Sequence, residues 1–502
     1  MRLNAKQIAL ATGGDFIVEP IDASEVLTSV SLDSREVESG SLYVAIQGAR
    51  VDGHDFIEPA LMAGAGAVLV SEPVSEPCKL LARELGAAII AVPNTPHAVA
   101  DIASAWRDHL SAKVIAVTGS VGKTTTKNLI RDVVSSRFKT CATRGNQNNE
   151  LGGPLTLLSA NPTDEVIVME MGMDGSGQIQ ALCRMARPDQ GVITNVGESH
   201  IEMLGSQENI ARAKAELLAE LPEGVGCAFL NAQDAFTPFL EEVSHLHVRK
   251  VRTCLYDRGD AEGRLSHLSQ DADQLAWAED IQLDGEGRPR FTLCLRGFRD
   301  EANAGPTLFD LEPDVERVSV HLALRGEHNV GNALAAAAVG RGLGIEPAQI
   351  ARALGSSVPE AGRQEMLPSR EGYLVINDAY NASPDSMRAS LALLASMDVV
   401  GERVAVLGDM GELGDHSDAC HSGVGAAVAE YGIDRLVCIG QQSRLIAEGA
   451  RAAGMDPARI VCVDTIGAAL EELEGSLSSS DAVLVKASNF MGLTRLAEGL
   501  IS

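Results

Sequence analysis

The stretch VIAVTGSVGKTTT, Val114 to Thr126, constrains this chain more than any other. It reads as a short apolar strand that breaks into glycine, lysine and threonine. Leu129, Ile130, Val133 and Val134 then recur at helical spacing, so a helix starts just past the break. Strand, glycine loop and helix N-terminus in that order form a cradle for anionic oxygens, because loop amides and the helix dipole converge on one spot. The usual phosphate-loop pattern is G-x-x-x-x-G-K-[ST]. Gly122, Lys123 and Thr124 fit its end, while Val117 stands where its first glycine belongs. The loop Gly119, Ser120, Val121, Gly122, Lys123, Thr124 and Thr125 is therefore expected to surround the phosphates of a nucleotide. Lys123 would reach the β- and γ-phosphates, and the Thr124 hydroxyl would hold Mg²⁺. A glycine-rich turn without a ligand is the duller alternative.

At 502 residues the chain exceeds what one hydrophobic core supports, so several domains are expected. A net charge of −28 argues against nucleic acid and against an anionic membrane surface, both of which reward clustered Lys and Arg. Nine cysteines lie scattered with no C-x-x-C pair, which points to reduced thiols rather than a zinc site or a disulfide framework. No run approaches the roughly 20 apolar residues of a membrane span. A cytoplasmic protein that does not insert into a membrane is the expectation.

An α/β chain of three domains follows from the patterning. Residues 1–92 read as a small α/β domain, bounded by the punctuated run AVPNTPHAV. Residues 93–357 carry the phosphate loop and the runs EVIVMEM and QGVITNVG, a central parallel sheet of the P-loop ATPase type. Within it, Asp257 to Pro313 shows no clear period and is expected to be a surface elaboration. In residues 358–502 the runs YLVIND, RVAVLGD, RLVCIG, RIVCVD and AVLVKAS alternate with helical stretches, as βαβ units of a Rossmann-like domain do.

Further candidates stand near strand ends, where ligands of parallel sheets gather. Glu170 closes VIVMEMG and His200 follows VITNVGESH. Each also suits a local task, Glu170 as a helix cap and His200 as a loop hydrogen-bonder. Lys214 falls on the apolar stripe Ile210, Leu217, Leu218, Leu221 rather than on the wet face beside Arg212. A lysine there must snorkel, pair or lose its charge. A neutral amine can add CO₂ to become a carbamate, which is a carboxylate-like metal ligand.

Taken together, these motifs resemble the Mur ligase family, the ATP-dependent amide-forming enzymes of peptidoglycan synthesis. The loop T-G-x-x-G-K-T is the family's short form, which accounts for Val117. GNQNNELGGPLTLL, MEMGM, TNVGESH, ARAKAE and GEHNVGNALAA follow in the family's order across nearly the whole chain. Ser31 to Phe56, NDAYNASPDSM and VLGDMGELG resemble the member that adds D-alanyl-D-alanine to UDP-N-acetylmuramoyl-tripeptide. Asn377, Ser383, Ala487 and Asn489 depart from common family residues.

The resemblance implies that a peptide carboxylate takes the γ-phosphoryl group of ATP and that the dipeptide amine then attacks the acyl phosphate. It assigns catalysis to Lys123, Glu170, His200 and Lys214. One Mg²⁺ would lie between Thr124 and Glu170, and a second between His200 and a carbamylated Lys214. Asn329, Arg363 and Asp378 would contact ATP, Asn381 and Ser383 would lie by the dipeptide, and Ser34, Arg35 and His54 would hold the uridine diphosphate end. Turn chemistry with a surface arginine explains the last three equally well. The enzyme is expected to act as a monomer. A related ligase with another amino-acid substrate, or a P-loop protein that only binds nucleotide, are the rival readings.

Overall fold

Aliphatic runs of four to six residues, cut by glycine and proline, become the strands of parallel-dominated sheets, as the alternation anticipates. The computed structural model describes the whole chain except residues 49, 261, 271, 299–314 and 502. It folds as two compact units. The first comprises Met1–Val117, Arg137–Gly191 and Glu216–Gly226, and the second comprises Thr118–Ser136, Val192–Ala215 and Cys227–Ser502.

In the first unit, a five-stranded sheet runs in the order Asp15–Val18, Ala88–Ala91, Ala67–Val70, Ser41–Val44, Ser29–Ser31. All neighbours are parallel except the edge strand Asp15–Val18. The strands Ser41–Val44 and Ala67–Val70 are buried along their whole length, as a sheet covered on both faces requires. Ile57, Ala60 and Leu61 pack there against Val68 and Ile89. The same unit contains Val166–Glu170, parallel to both Lys113–Thr118 and Thr140–Ala142, with Glu170 in register with Val117.

The second unit holds the phosphate loop, the helix Lys123–Ser135 behind it, and the parallel strands Cys227–Asn231, Arg252–Asp257 and Gln274–Leu283. The segment expected to be a surface elaboration contributes regular strands to the sheet. Gln274–Leu283 and Pro289–Arg296 form an antiparallel hairpin that Val315–His321 extends. Residues 261, 271 and 299–313 of that stretch lie outside the described residues.

The C-terminal sheet of this unit has the order Glu365–Pro368, Leu374–Asn377, Ala482–Lys486, Arg403–Gly408, Arg435–Ile439, Ile460–Val463. It is parallel apart from the edge hairpin. Alternate residues of Arg403–Gly408 feed two cores. Ala405 and Leu407 meet Leu391 and Leu394 on one face, and Val404 and Val406 meet Leu473 and Leu496 on the other. Each fully buried Val or Leu contributes roughly 1.5–3 kcal/mol. All nine cysteines are free thiols, and no helix among the described residues is long and apolar enough to cross a membrane.

Candidate functional site

The phosphate loop leaves the strand Lys113–Thr118 through two glycines that no other residue can replace without strain. Gly119 has φ +151°, and a Cβ there would fall 1.8 Å from Thr194 Oγ1. Gly122 has φ +83°, and its Cβ would meet Asn332 Oδ1 at 2.8 Å. Thr194 and Asn195 brace the loop. The Ser120 and Val121 amides donate to Asn195 Oδ1 at 3.1 and 2.9 Å, and Thr194 Oγ1 donates to Val121 O at 2.6 Å. Ser120 Oγ also accepts from Gly197 N at 2.9 Å. The first intrahelical bond runs from Thr126 N to Gly122 O, so the Lys123, Thr124 and Thr125 amides have no intrahelical acceptor. Lys123 Nζ folds back on its own loop, donating to Gly119 O at 2.8 Å and Ser120 O at 3.3 Å.

Arg363 comes from the segment before the C-terminal sheet. It donates from an Nη to Thr124 Oγ1 at 3.0 Å, and its guanidinium lies 4.1 Å from the centre of the Tyr380 ring. Its Nε is buried without a hydrogen-bond partner among the described residues. Asn329 is 3% exposed and held on all sides, donating to Arg325 O and Gln364 Oε1 and accepting from Asn332. Asp378 is used internally as well. One carboxylate oxygen accepts from Gln364 N at 3.1 Å, and the other accepts from Ser390 Oγ and, at 2.7 Å, from Lys486 Nζ. Asn381 is exposed, and its carbonyl accepts from Lys486 at 3.0 Å. Ser383 caps the helix Pro384–Ser396, where its amide donates to Ser386 Oγ.

Lys214 sits on the helix Gln207–Ala219 at 1% exposure, level with Ile210 at 0%. Snorkelling is therefore excluded. Burial drives its amine well below the usual lysine pKa, repulsion from Lys123 adds to the shift, and Asp234 opposes it. His200 opens the short helix Ile201–Leu204 with left-handed backbone, φ 67°. Its Nδ1 lies 2.7 Å from Glu412 Oε2.

The remaining candidates belong to the first unit. Glu170 ends its strand rather than capping a helix; the next helix, Gln178–Ala186, has Gly177 at its cap. Its side chain is 1% exposed, and Asn148 Nδ2 donates to Oε1 at 2.7 Å. Ser34 and Arg35 lie in a single turn opened by Asp33, whose carboxylate holds the largely exposed Arg35 guanidinium. His54 is fixed at both ring nitrogens: Nδ1 is 2.7 Å from Asp52, and Nε2 accepts from Ser71 N at 3.0 Å.

Thr194, Asn195, Gln364, Glu412 and Lys486 were not singled out from the sequence. The first two lie inside TNVG and Glu412 inside GDMGELG, glycine-flanked polar clusters of the kind that mark working loops. Among the described residues, no three His, Cys, Asp or Glu side chains gather as a set of metal ligands.

Three family models match successive parts of the chain: the Mur ligase family catalytic domain over residues 26–107, the Mur ligase middle domain over 117–340, and the Mur ligase glutamate ligase domain over 362–489. The UDP-N-acetylmuramoyl-tripeptide–D-alanyl-D-alanine ligase of Bacillus subtilis is 34% identical over 501 residues, covering 100% of this chain and 99% of its own. The crystal structure of MurF from Acinetobacter baumannii superposes with a TM-score of 0.81 at 28% identity, covering 100% of this chain and 99% of that one. The MurF ligase of Thermotoga maritima in complex with ADP gives 0.73 at 26% identity, covering 94% and 97%. With the α/β architecture in agreement, this chain belongs to the Mur ligase family.

Proposed function

We propose that the chain joins D-alanyl-D-alanine to UDP-N-acetylmuramoyl-tripeptide at the expense of ATP. The observation that carries this reading is the 34% identity to a ligase of that name along the full length of both chains. The local geometry supports the chemistry. A phosphate loop is built, and two lysines, Lys123 and the buried Lys214, lie close enough to repel each other. The Lys123 ammonium and the loop amides are where anionic oxygens would enter.

In the proposed reaction, a carboxylate oxygen of the tripeptide attacks the γ-phosphorus of ATP, and ADP leaves. The dipeptide amine then attacks the acyl carbon, inorganic phosphate departs, and the nitrogen loses its proton. Positioning and charge neutralisation are the protein's main tasks in such a transfer. Lys123 would exchange its loop carbonyls for phosphate oxygens. Arg363, Asn329 and Asp378 would shape the nucleotide pocket, Asp378 by holding Gln364. Asn381 and Ser383 would border the dipeptide, while Ser34, Arg35 and His54 would serve the uridine diphosphate end, with His54 acting by fixing the turn. We assign the domains to residues 1–92, 93–357 and 358–502.

Mg²⁺ favours oxygen ligands, keeps several waters and leans on substrate phosphates. Thr124, His200 and Lys214 would hold it in the second unit, and Glu170 carries the same proposal in the first. When bound, the ion would offset phosphate charge and the developing oxyanion. A depressed amine suits Lys214 for carbamate formation: neutral nitrogen attacks CO₂, releases a proton, and leaves an anionic oxygen pair.

The test is to incubate the protein with ATP, Mg²⁺, UDP-N-acetylmuramoyl-tripeptide and D-alanyl-D-alanine, then weigh the products. Pentapeptide nucleotide and ADP in equal amounts are expected. Phosphate release that ignores both peptide substrates would instead mark a nucleotide-binding protein that makes no amide.

A further inference from the structure

The loop Met410–Gly414 reaches the turn that carries His200, and the contact is built from both sides. His200 Nδ1 is 2.7 Å from Glu412 Oε2. Glu202 N points to Glu412 O at 3.5 Å, and a Cβ on Gly414 would stand 3.3 Å from Glu202. The base of the loop is anchored. Met410 N donates to the buried His421 Nε2 at 2.9 Å, and Gly411 N donates to Ser488 Oγ at 2.9 Å. His200 and Glu412 both adopt left-handed backbone, at φ 67° and 63°. Non-glycine residues rarely do so, and each such residue costs on the order of 1 kcal/mol.

Stability does not account for that cost. The Glu412 side chain is 59% exposed, and an ion pair so open to water is worth little. The arrangement has a clearer consequence for the imidazole. A carboxylate standing 2.7 Å from Nδ1 limits how the ring can turn and ties that turn to the loop.

We propose that Glu412 is a positioning residue that fastens the Met410–Gly414 loop to the His200 turn and sets the orientation of the His200 ring. The proposal rests on the ligase reading above and reaches further, because it gives the C-terminal sheet a direct hold on a residue of the central region. Only this chain's own side chains are involved.

Three proteins test it: wild type, Glu412→Ala, and Glu412→Gln, which keeps an acceptor oxygen. Kinetics with each substrate varied are paired with small-angle scattering, with and without ADP. Glu412→Ala is expected to lower kcat/KM for D-alanyl-D-alanine by about tenfold or more, with little change in KM for ATP. It should also enlarge the radius of gyration in the presence of ADP. Glu412→Gln should recover most of both effects. If the alanine variant keeps wild-type kinetics and scattering, or loses only melting temperature, the proposal is overturned. If wild type forms no amide product but scattering still separates it from the alanine variant, the ligase reading fails while the fastening stands.

Discussion

Lys214 and Lys486 are both withdrawn from water, at 1% and 2% exposure, and the chain treats them in opposite ways. Lys486 ends a strand of the C-terminal sheet, and its ammonium is surrounded by oxygen: Asp378 Oδ2 at 2.7 Å, Asn381 O at 3.0 Å and Asp378 O at 3.4 Å. Lys214 lies on a helix stripe of the central region, where burial drives its amine well below the usual lysine pKa. The charges that act on it are the Lys123 ammonium, which adds to the shift, and the Asp234 carboxylate, which opposes it. A satisfied buried charge is architecture. A buried amine driven towards its neutral form is poised to change its chemical state, and burial that perturbs a titration in this way marks working sites.

The contrast is broken most forcefully at Lys214. Lys214→Ala is expected to reduce kcat by roughly a thousandfold, the scale of losing one placed electrostatic group, while short carboxylic acids restore part of the rate. Lys214→Met should melt no lower than wild type, because a methionine there buries no amine. Full activity in Lys214→Ala would remove the carbamate from the mechanism.

Lys486→Met makes the converse case. It leaves the Asp378 carboxylate buried without its cation and should cost about 3 kcal/mol of unfolding free energy, read from urea midpoints. Adding Asp378→Asn should return most of that loss. If Lys486→Met unfolds like wild type, the architectural assignment is wrong.

A third base, half-buried, extends the comparison. Burial lowers the His328 pKa to about 4, Arg258 and Lys486 act in the same direction, and Asp378 opposes them. The folded ring therefore refuses a proton that the unfolded ring accepts below about pH 6.5. Stability should fall as pH drops from there towards 4, and nothing is gained above that window. The ring is only partly screened from solvent, so the loss is held to about 2 kcal/mol. His328→Asn should flatten the slope in melting temperature against pH.

The smallest effect tests the coupling of the two site lysines. Lys123→Met should raise the Lys214 pKa, followed by NMR titration of labelled lysine. Because burial is the larger cause, the value should remain below that of a free lysine.

Lys214 was legible because a 3.6-residue period places it among Ile210, Leu217 and Leu218, and the structure buries all four. The loop glycines and the alternating strands of residues 358–502 were legible for the same reason, since local chemistry dictates local geometry. The hairpin Gln274–Arg296 was not. Leu275 to Ala278 are all buried, and the register then slips between Glu279 and Gln282 around Asp280 at φ 56°, so no strict period of two survives. The pairings of His200 with Glu412 and of Thr124 with Arg363 join residues more than 200 positions apart, which local patterning does not encode.

The brace from Asn195 has its own consequence for catalysis. One side-chain oxygen already sits on two amides of the phosphate loop, so the loop keeps its shape before any nucleotide arrives. Capture of a polyphosphate is then a substitution of acceptors within a ready mould rather than a folding event. The entropy of arranging those residues, about 1–2 kcal/mol apiece, is settled during folding and is not charged again at each turnover.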